Sequence, residues 1–328
     1  MIEILSPTPL LTVQDLGREG YRRFGVGASG AMDRAALTVG NLLLGNGPDL
    51  AGLEIPMFPF SARFGCDISF AVTGADAQAM LDSAPLQPWW ATRAKKGQVL
   101  TLSSPLSGMN AYLTVEGGFD VPMVLGSRST HLRGEFGGFH GRTLKKGDVL
   151  AVGPSRSSGA FPTGGFGVEP PQFALPLGDS VTSNVTFIRV MPAAEYDRFS
   201  AETQARLWST DWKISPQSSR AGYRLVGPNL LLESEIEMRS HGLVSGVIQV
   251  PAGGQPIIQL ADAYTAGGYP KIGTVIEADL WRIGQARLGS ALRFIKVDYA
   301  GGVAALDALQ TYLGEVRASA DLMRASAV

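Results

Sequence analysis

The chain has 328 residues, a formal net charge of −1, 45 % hydrophobic and 17 % charged residues, and no block of like charge. That length holds two domains of roughly 150 residues each, and the balanced charge argues against nucleic acid as the main partner. One cysteine, Cys66, excludes an internal disulfide framework. No apolar run approaches the roughly 18 residues of a membrane span, and the opening MIEILSPTPLL lacks a basic stretch followed by an apolar one. A cytoplasmic protein is the expectation.

Glycine (41) and proline (20) are abundant, which suits a turn-rich β protein. In chain order, MDRAALTVGNLLLGNG predicts a helix. Asp33 is its N-cap, Ala35, Ala36, Val39, Leu42 and Leu43 form its apolar face, and Gly45 is its stop. ISFAVTG, GQVLTLSS, NAYLTVEGG and KGDVLAVG read as strands bounded by Gly, Asp or Ser. Residues 153 to 179 are rich in Gly, Pro and Ser without periodicity and read as a linker or crossing loop. Beyond them come a strand, NVTFIRV, a helix, AAEYDRFSAETQARLWST, and further strand-like runs: YRLVG, GLVSGVIQV, QPIIQLA, GTVIEADL and ALRFIKVD. A tail from Gly302 to about Arg317 has Val303, Leu306, Leu309 and Leu313 at helical spacing. GRTLKKGDVLAV closes the first half and ARLGSALRFIKV the second, a weak internal echo. The expected fold is mainly β, with two small barrels and a few short helices. The expected domains are 1–155 and 181–328, joined by 156–180.

Several stretches carry candidate chemistry. GVGASG (Gly25 to Gly30) matches G-x-G-x-x-G, but the polar QDLGREGYRRF before it is not the buried strand a dinucleotide fold requires. A glycine-rich loop lining a pocket stays open. GSRSTHLRGEFGGFHGRTLKKGD holds Arg128, Arg133 and Arg142 with Ser127 and Ser129. Arginine forks pair carboxylate or phosphate, and the same pattern fits a solvated loop with surface ion pairs. His131, His140 and His241 are spread along the chain, so no metal site is expected. Cys66 lies at a strand start and reads as a buried, inert thiol. There is neither a G-x-S-x-G nor a P-loop. TAGGYPKIGTVIEADL places Lys271 after a glycine turn, with Asp262 before it. Lys271 suits an anion or a polarised carbonyl and Asp262 a proton acceptor. On residue types alone, a salt bridge pinning a hairpin is the simpler explanation of both.

TVQDLGREGYRRFGVGASGAMD, GSRSTHLRGEFGGFHGRTLKKGD, SHGLVSGVIQVPAGGQPIIQL and GGYPKIGTVIEADL together resemble the family of the 5-oxoprolinase C component. It is also called the biotin-dependent carboxyltransferase or allophanate hydrolase subunit 2 family. The blocks run in family order from about residue 11 to 297. The resemblance implies two cyclophilin-like β-barrels, and partners of the 5-oxoprolinase B-component and A-component types. It also implies ATP-dependent opening of the 5-oxoproline lactam to glutamate, with ATP and Mg acting at the level of the complex and nothing bound covalently. A related reading is the carboxyltransferase component of a biotin-dependent urea-type carboxylase, with biotin carried by a partner. A third is a non-enzymatic partner of a sensor-kinase inhibitor.

The match covers Asp15, Arg18, Ser29, Asp33, Arg128, Ser129, Gly137, Gly138, Arg142, Gln249, Gly267, Gly268, Tyr269, Pro270 and Lys271. With Asp262, read above from its place before the glycine turn, the expected catalytic set is Lys271, Asp262 and Arg128. The match also implies substrate contacts from Ser29, Asp33, Ser129, Arg142, Gln249, Gly267, Gly268 and Tyr269. The chain departs from the family pattern at VMPAAEYDRF, SSRAGYRL and LGS. It also departs at DAYTAGGYP, where Tyr264 replaces an amide side chain and Ala266 a hydroxyl.

Overall fold

The computed structural model describes residues 1–154, 161–172, 184–234 and 236–326. The chain divides into two compact units. The first comprises Met1–Glu19, Ser29–Gln172 and Gln310–Val328, the second Gly20–Ala28 and Phe173–Leu309. This departs from a contiguous split. Segment 20–28 joins the second unit, where Arg22 Nη1 donates to Leu243 O at 2.8 Å. Of the expected linker 156–180, residues 156–160 and 173–180 lie outside the described residues. Within 161–172, Phe166–Gly167 pairs with the strand Trp90–Ala94 and so extends a sheet of the first unit.

The fold is mainly β, with four α-helices among the described residues: α1 (Arg34–Leu43), α2 (Ala201–Ser209), α3 (Leu280–Gln285) and α4 (Tyr299–Ala325). No described helix is long and apolar enough to cross a membrane. In the first unit two six-stranded sheets contribute to one apolar core. Ile2, Ile4, Phe60, Ala62, Phe64, Leu100 and Leu102 come from one sheet; Phe70, Val72, Leu53, Ile55, Ala111, Leu113 and Val115 come from the other. Because side chains alternate along a strand, Ala71, Ala91 and Tyr112 point away from that core. They pack with Leu37 and Val39 of α1 and with Val316 and Ala320 of α4. Gly40 lets α1 come close, since a Cβ there would lie 2.7 Å from Thr114 Oγ1.

The 27-residue α4 outruns the helix expected at 302–317. No glycine or proline follows Gly314 to stop it. Its last turn is anchored in the first unit, where Arg324 Nη1 donates to Leu42 O (2.9 Å) and Leu43 O (2.8 Å). A cation at the last carbonyls of α1 stabilises that helix end.

The second unit is a closed seven-stranded barrel. Its order is Val185–Pro192, Lys271–Val275, Val247–Gln249, Ile257–Gln259, Gly222–Val226, Asp211–Ile214 and Ala291–Lys296, which returns to Val185–Pro192 through a parallel pairing. Ile188, Val190, Trp212, Ile214, Tyr223, Ile248, Ile258 and Leu292 are buried on these strands. Closure removes exposed strand edges. Before α2, Ser200 accepts the Thr203 N–H at 3.2 Å, an ordinary N-cap.

Candidate functional site

In the first unit three of the motif segments meet around Asp15. Its Oδ1 accepts Gly17 N–H (2.8 Å), Ser127 Oγ–H (2.7 Å) and Ser129 Oγ–H (2.5 Å), and its Oδ2 accepts Arg128 N–H (2.5 Å). Gln14 Oε1 accepts Gly30 N–H at 3.2 Å while its Nε2 reaches Thr130 O at 3.4 Å, and Asp15 O accepts Ala31 N–H at 2.9 Å. Segments 14–18, 29–33 and 127–130 are thus tied by side chains that lie apart in sequence.

Arg18 is buried. It donates from Nη2 to Ser129 O at 2.6 Å and stands 4.9 Å from the Phe136 ring, which stacks on His131. Gly137 makes this approach feasible. Its φ is +71°, and a Cβ there would lie 2.2 Å from Ser129 O and 2.9 Å from Arg18 Nη2. Gly138 likewise passes against Thr130 Oγ1.

Several predicted ligands of this unit are engaged structurally. Asp33 is fully buried; its Oδ1 caps α1 through Ala36 N–H at 2.8 Å, and its own N–H donates to Tyr112 Oη at 2.7 Å. The cap position that a phosphate would take at this helix start is filled by the Asp33 carboxylate. Gly25 of GVGASG ends the 3-10 turn Arg22–Phe24 rather than following a strand. Tyr112 Oη donates to Glu54 Oε2 at 2.7 Å, which also accepts Met32 N–H at 2.7 Å. Burial, and then the Glu54 and Asp33 charges, push the Tyr112 phenol well above its usual range.

Arg142 grips Asp148 with both terminal nitrogens (2.7 and 2.9 Å). This hydrogen-bonded pairing holds the Asp148 carboxyl below the usual carboxylate value, and the Arg142 fork is occupied. Ser129 is held by Asp15. Ser29 is different. It is buried in the left-handed region at φ +54°, and its Oγ has no hydrogen-bond partner among the described residues. Arg128, half-buried, uses Nε for Val121 O at 3.1 Å, and its terminal nitrogens make no ion pair among the described residues. Cys66 is only partly buried, beside the core, with the N-terminal amine 3.4 Å from its sulfur.

The second unit holds the remaining candidates. Asp262, expected as a proton acceptor, is gripped by Arg220 through Nε–Oδ2 (2.8 Å) and Nη2–Oδ1 (3.3 Å), with side chains 17 % and 9 % exposed. Its carboxylate is held by that guanidinium, and it makes no hydrogen bond or ion pair with Lys271 among the described residues. Gly267 pairs with His241 in a two-stranded ribbon. A Cβ at Gly267 would lie 2.9 Å from Gln249 Nε2, so the bare glycine leaves room for that amide.

Gln249 is buried. It donates to Tyr269 O (3.3 Å) and accepts from Gln259 Nε2 (3.1 Å), a residue the sequence did not single out. Lys271 is the cross-strand partner of Gln249. Its backbone N–H donates to Glu195 Oε2 at 3.0 Å, and its ammonium has no ion pair among the described residues. Gly268 passes close to Met238 O. Tyr264 and Tyr269 are exposed. A half-buried lysine beside a fixed amide can bind an anion or stabilise charge on an oxygen. No group of three or more His, Cys, Asp or Glu among the described residues is placed to hold a metal.

A carboxyltransferase-domain family model, subdomains A and B, matches residues 24–296. The chain belongs to that family. It is 40 % identical over 321 residues to the 5-oxoprolinase C component of Haemophilus influenzae, covering 98 % of this chain and 99 % of the relative. To the 5-oxoprolinase C component of Escherichia coli it is 39 % identical over 316 residues, covering 96 % and 97 %. The crystal structure of the K. lactis urea amidolyase superposes with a TM-score of 0.86 at 28 % identity, over 96 % of this chain and 20 % of the longer one. The chain thus spans nearly the whole of the 5-oxoprolinase relatives and a fifth of the urea amidolyase. Its mainly β architecture is that of the matched carboxyltransferase region.

Proposed function

We propose that this chain is the C component of a 5-oxoprolinase-type amide hydrolase, acting with A-component and B-component proteins to open the 5-oxoproline lactam to glutamate. The observation that carries this reading is the end-to-end match to the 5-oxoprolinase C component, 40 % identical over 98 % of this chain and 99 % of the relative. A lactam is a stable amide, and ATP supplies its activation by phosphorylating the carbonyl oxygen. ATP with Mg is assigned to the assembled complex, because the helix start that best resembles a phosphate cradle here is filled by Asp33.

What this chain contributes is cationic and amide chemistry. Lys271 carries an ammonium not held by a carboxylate among the described residues, and Gln249 is its fixed neighbour. Arg128 offers its terminal nitrogens in the first unit. A free ammonium beside a fixed amide suits an oxygen that gains charge, and an open guanidinium suits a carboxylate or a phosphate.

A second reading has a specific observation behind it, the 0.86 TM-score to the K. lactis urea amidolyase. It makes the chain a carboxyltransferase component that receives carboxybiotin from a partner protein.

The test is reconstitution. The chain is co-expressed with 5-oxoprolinase A-component and B-component proteins, and ADP release is followed with and without 5-oxoproline. Release that needs both 5-oxoproline and this chain is expected. In that complex Lys271→Ala lowers kcat roughly 100- to 1,000-fold, the range for removing one charge-stabilising donor. A stable complex without 5-oxoproline-dependent release removes the first reading, and decarboxylation of carboxybiotin then decides on the second.

A further inference from the structure

Glu195 is absent from the residues the motifs single out, yet it touches the residue on which the proposed function turns. It lies in the turn after the barrel strand Val185–Pro192, and its Oε2 accepts the backbone N–H of Lys271 at 3.0 Å. The turn is held to the same strand a second time, since Ala193 N–H donates to Ile272 O at 3.3 Å. It is closed on itself by Tyr196 N–H to Ala193 O at 3.0 Å.

The reason for a side-chain acceptor lies on the other side of Lys271. The ladder between Val247–Gln249 and Lys271–Val275 shifts register between Ile248 and Gln249. An irregularity of this kind locally disrupts the regular pairing and re-aims a side chain. Lys271 opens its strand at that irregularity, and a carboxylate takes its N–H. Asp262 is gripped by Arg220, whereas Glu195 is applied to the main chain of the lysine itself.

We propose that Glu195 is the positioning residue for Lys271. It clamps the main chain where the ladder is irregular, so that the ammonium keeps a fixed place beside Gln249. The inference rests on the reading of Lys271 as the reactive cation of the amide-hydrolase complex. It acts through hydrogen-bond acceptance rather than through the charge of the carboxylate, because the contact is to a backbone N–H.

The test compares Glu195→Ala, which removes the acceptor, with Glu195→Gln, which keeps an acceptor oxygen at the same reach. In the reconstituted complex Glu195→Ala is expected to lower kcat on the order of 10- to 100-fold, the cost of a misplaced group, with KM within about twofold. Glu195→Gln recovers most of that loss. An unchanged kcat in Glu195→Ala overturns the proposal. So does a Glu195→Gln enzyme as slow as Glu195→Ala, which would show that charge matters and the acceptor does not.

A second arm needs no turnover. On the full chain, amide exchange at Lys271 and acetylation of its amine by limiting acetic anhydride are read by peptide mass spectrometry. Exposed Lys213 serves as reference. Glu195→Ala is expected to speed Lys271 exchange about tenfold or more, as for loss of a protecting hydrogen bond, and to alter Lys271 labelling relative to Lys213. Glu195→Gln is expected to resemble the parent chain. If the parent complex releases no ADP with 5-oxoproline, the functional reading fails, and this second arm still decides on Glu195: unchanged exchange and labelling in Glu195→Ala overturn the clamp.

Discussion

Asp15 in the first unit and Asp262 in the second are both carboxylates of motif segments, and they are held in opposite ways. Asp15 is caged by neutral donors, two serine hydroxyls and two backbone N–H groups. Asp262 is gripped by the guanidinium of Arg220. The cage ties segment 15–17 to segment 127–129, far apart along the chain, within the first unit. The ion pair joins two turns of the barrel. The motif cations without an ion pair among the described residues are Arg128, through its terminal nitrogens, and Lys271, through its ammonium. Asp15 holds loops in place; among the basic motif residues Arg18 and Arg142 are engaged within the protein, unlike those two.

The sharpest way to break this comparison is Asp15→Ala. It leaves Ser127, Ser129 and the Arg128 N–H without their common acceptor in a buried place, so a loss of roughly 3–5 kcal/mol is expected, several charge-assisted hydrogen bonds together. Asp262→Asn is expected to cost less, about 2 kcal/mol, since Arg220 keeps one neutral acceptor there. Urea unfolding of the two variants side by side measures the difference, and the reverse order would show that the barrel ion pair matters more than the cage.

A smaller effect sharpens the role of Arg142. Its pairing holds Asp148 below the usual carboxylate value of 3.8. A depressed carboxyl contributes stability that is complete above its unfolded value and lost as pH falls through its folded one. Arg142→Gln should therefore lower the melting temperature at pH 7. The gap to the parent chain should narrow below about pH 4 and close once Asp148 is protonated in both. A gap that persists unchanged in acid would mean the guanidinium acts through packing against Phe139, which it overlies at 5.1 Å.

The smallest expected effect is on the stability of Lys271→Ala. With no ion pair to lose among the described residues, its unfolding free energy should stay within about 0.5 kcal/mol of the parent, while activity of the complex falls steeply. A large loss of stability would place Lys271 among the structural residues instead.

Much of the local structure could be read directly. Helix α1 announces itself through Asp33, its apolar face and Gly45, and the strands through alternation, because these signals involve neighbours a few residues apart. The same Asp33 shows where such reading stops. Its capping role is written in the local pattern, yet membership of a motif also suggests a ligand, and only its complete burial rules that out. Arg142 and Asp148 lie six residues apart, and Arg220 and Asp262 forty-two. Residue types cannot say whether such a fork closes on a protein carboxylate or stays open for a substrate. Glu195 and Gln259 carry no signal, since a glutamate in a turn and a glutamine in a strand are ordinary there.

From the amino-acid order alone came the family, through four long blocks in register, the mainly β class, and the positions of α1 and most strands. The helix expected over 193–210 is an α-helix only from Ala201 to Ser209, after the 3-10 turn Tyr196–Arg198. Periodicity and capping are short-range properties, and blocks of identity survive in one dimension. Tertiary structure decided that segment 20–28 belongs with the barrel and the end of α4 with the sheets. It also decided the partners of Asp15, Asp33, Arg142 and Asp262, and that the Lys271 N–H meets Glu195 while its ammonium has no ion pair among the described residues. Pairing depends on whether two groups far apart in the chain are brought to about 3 Å, and only the folded chain sets that distance.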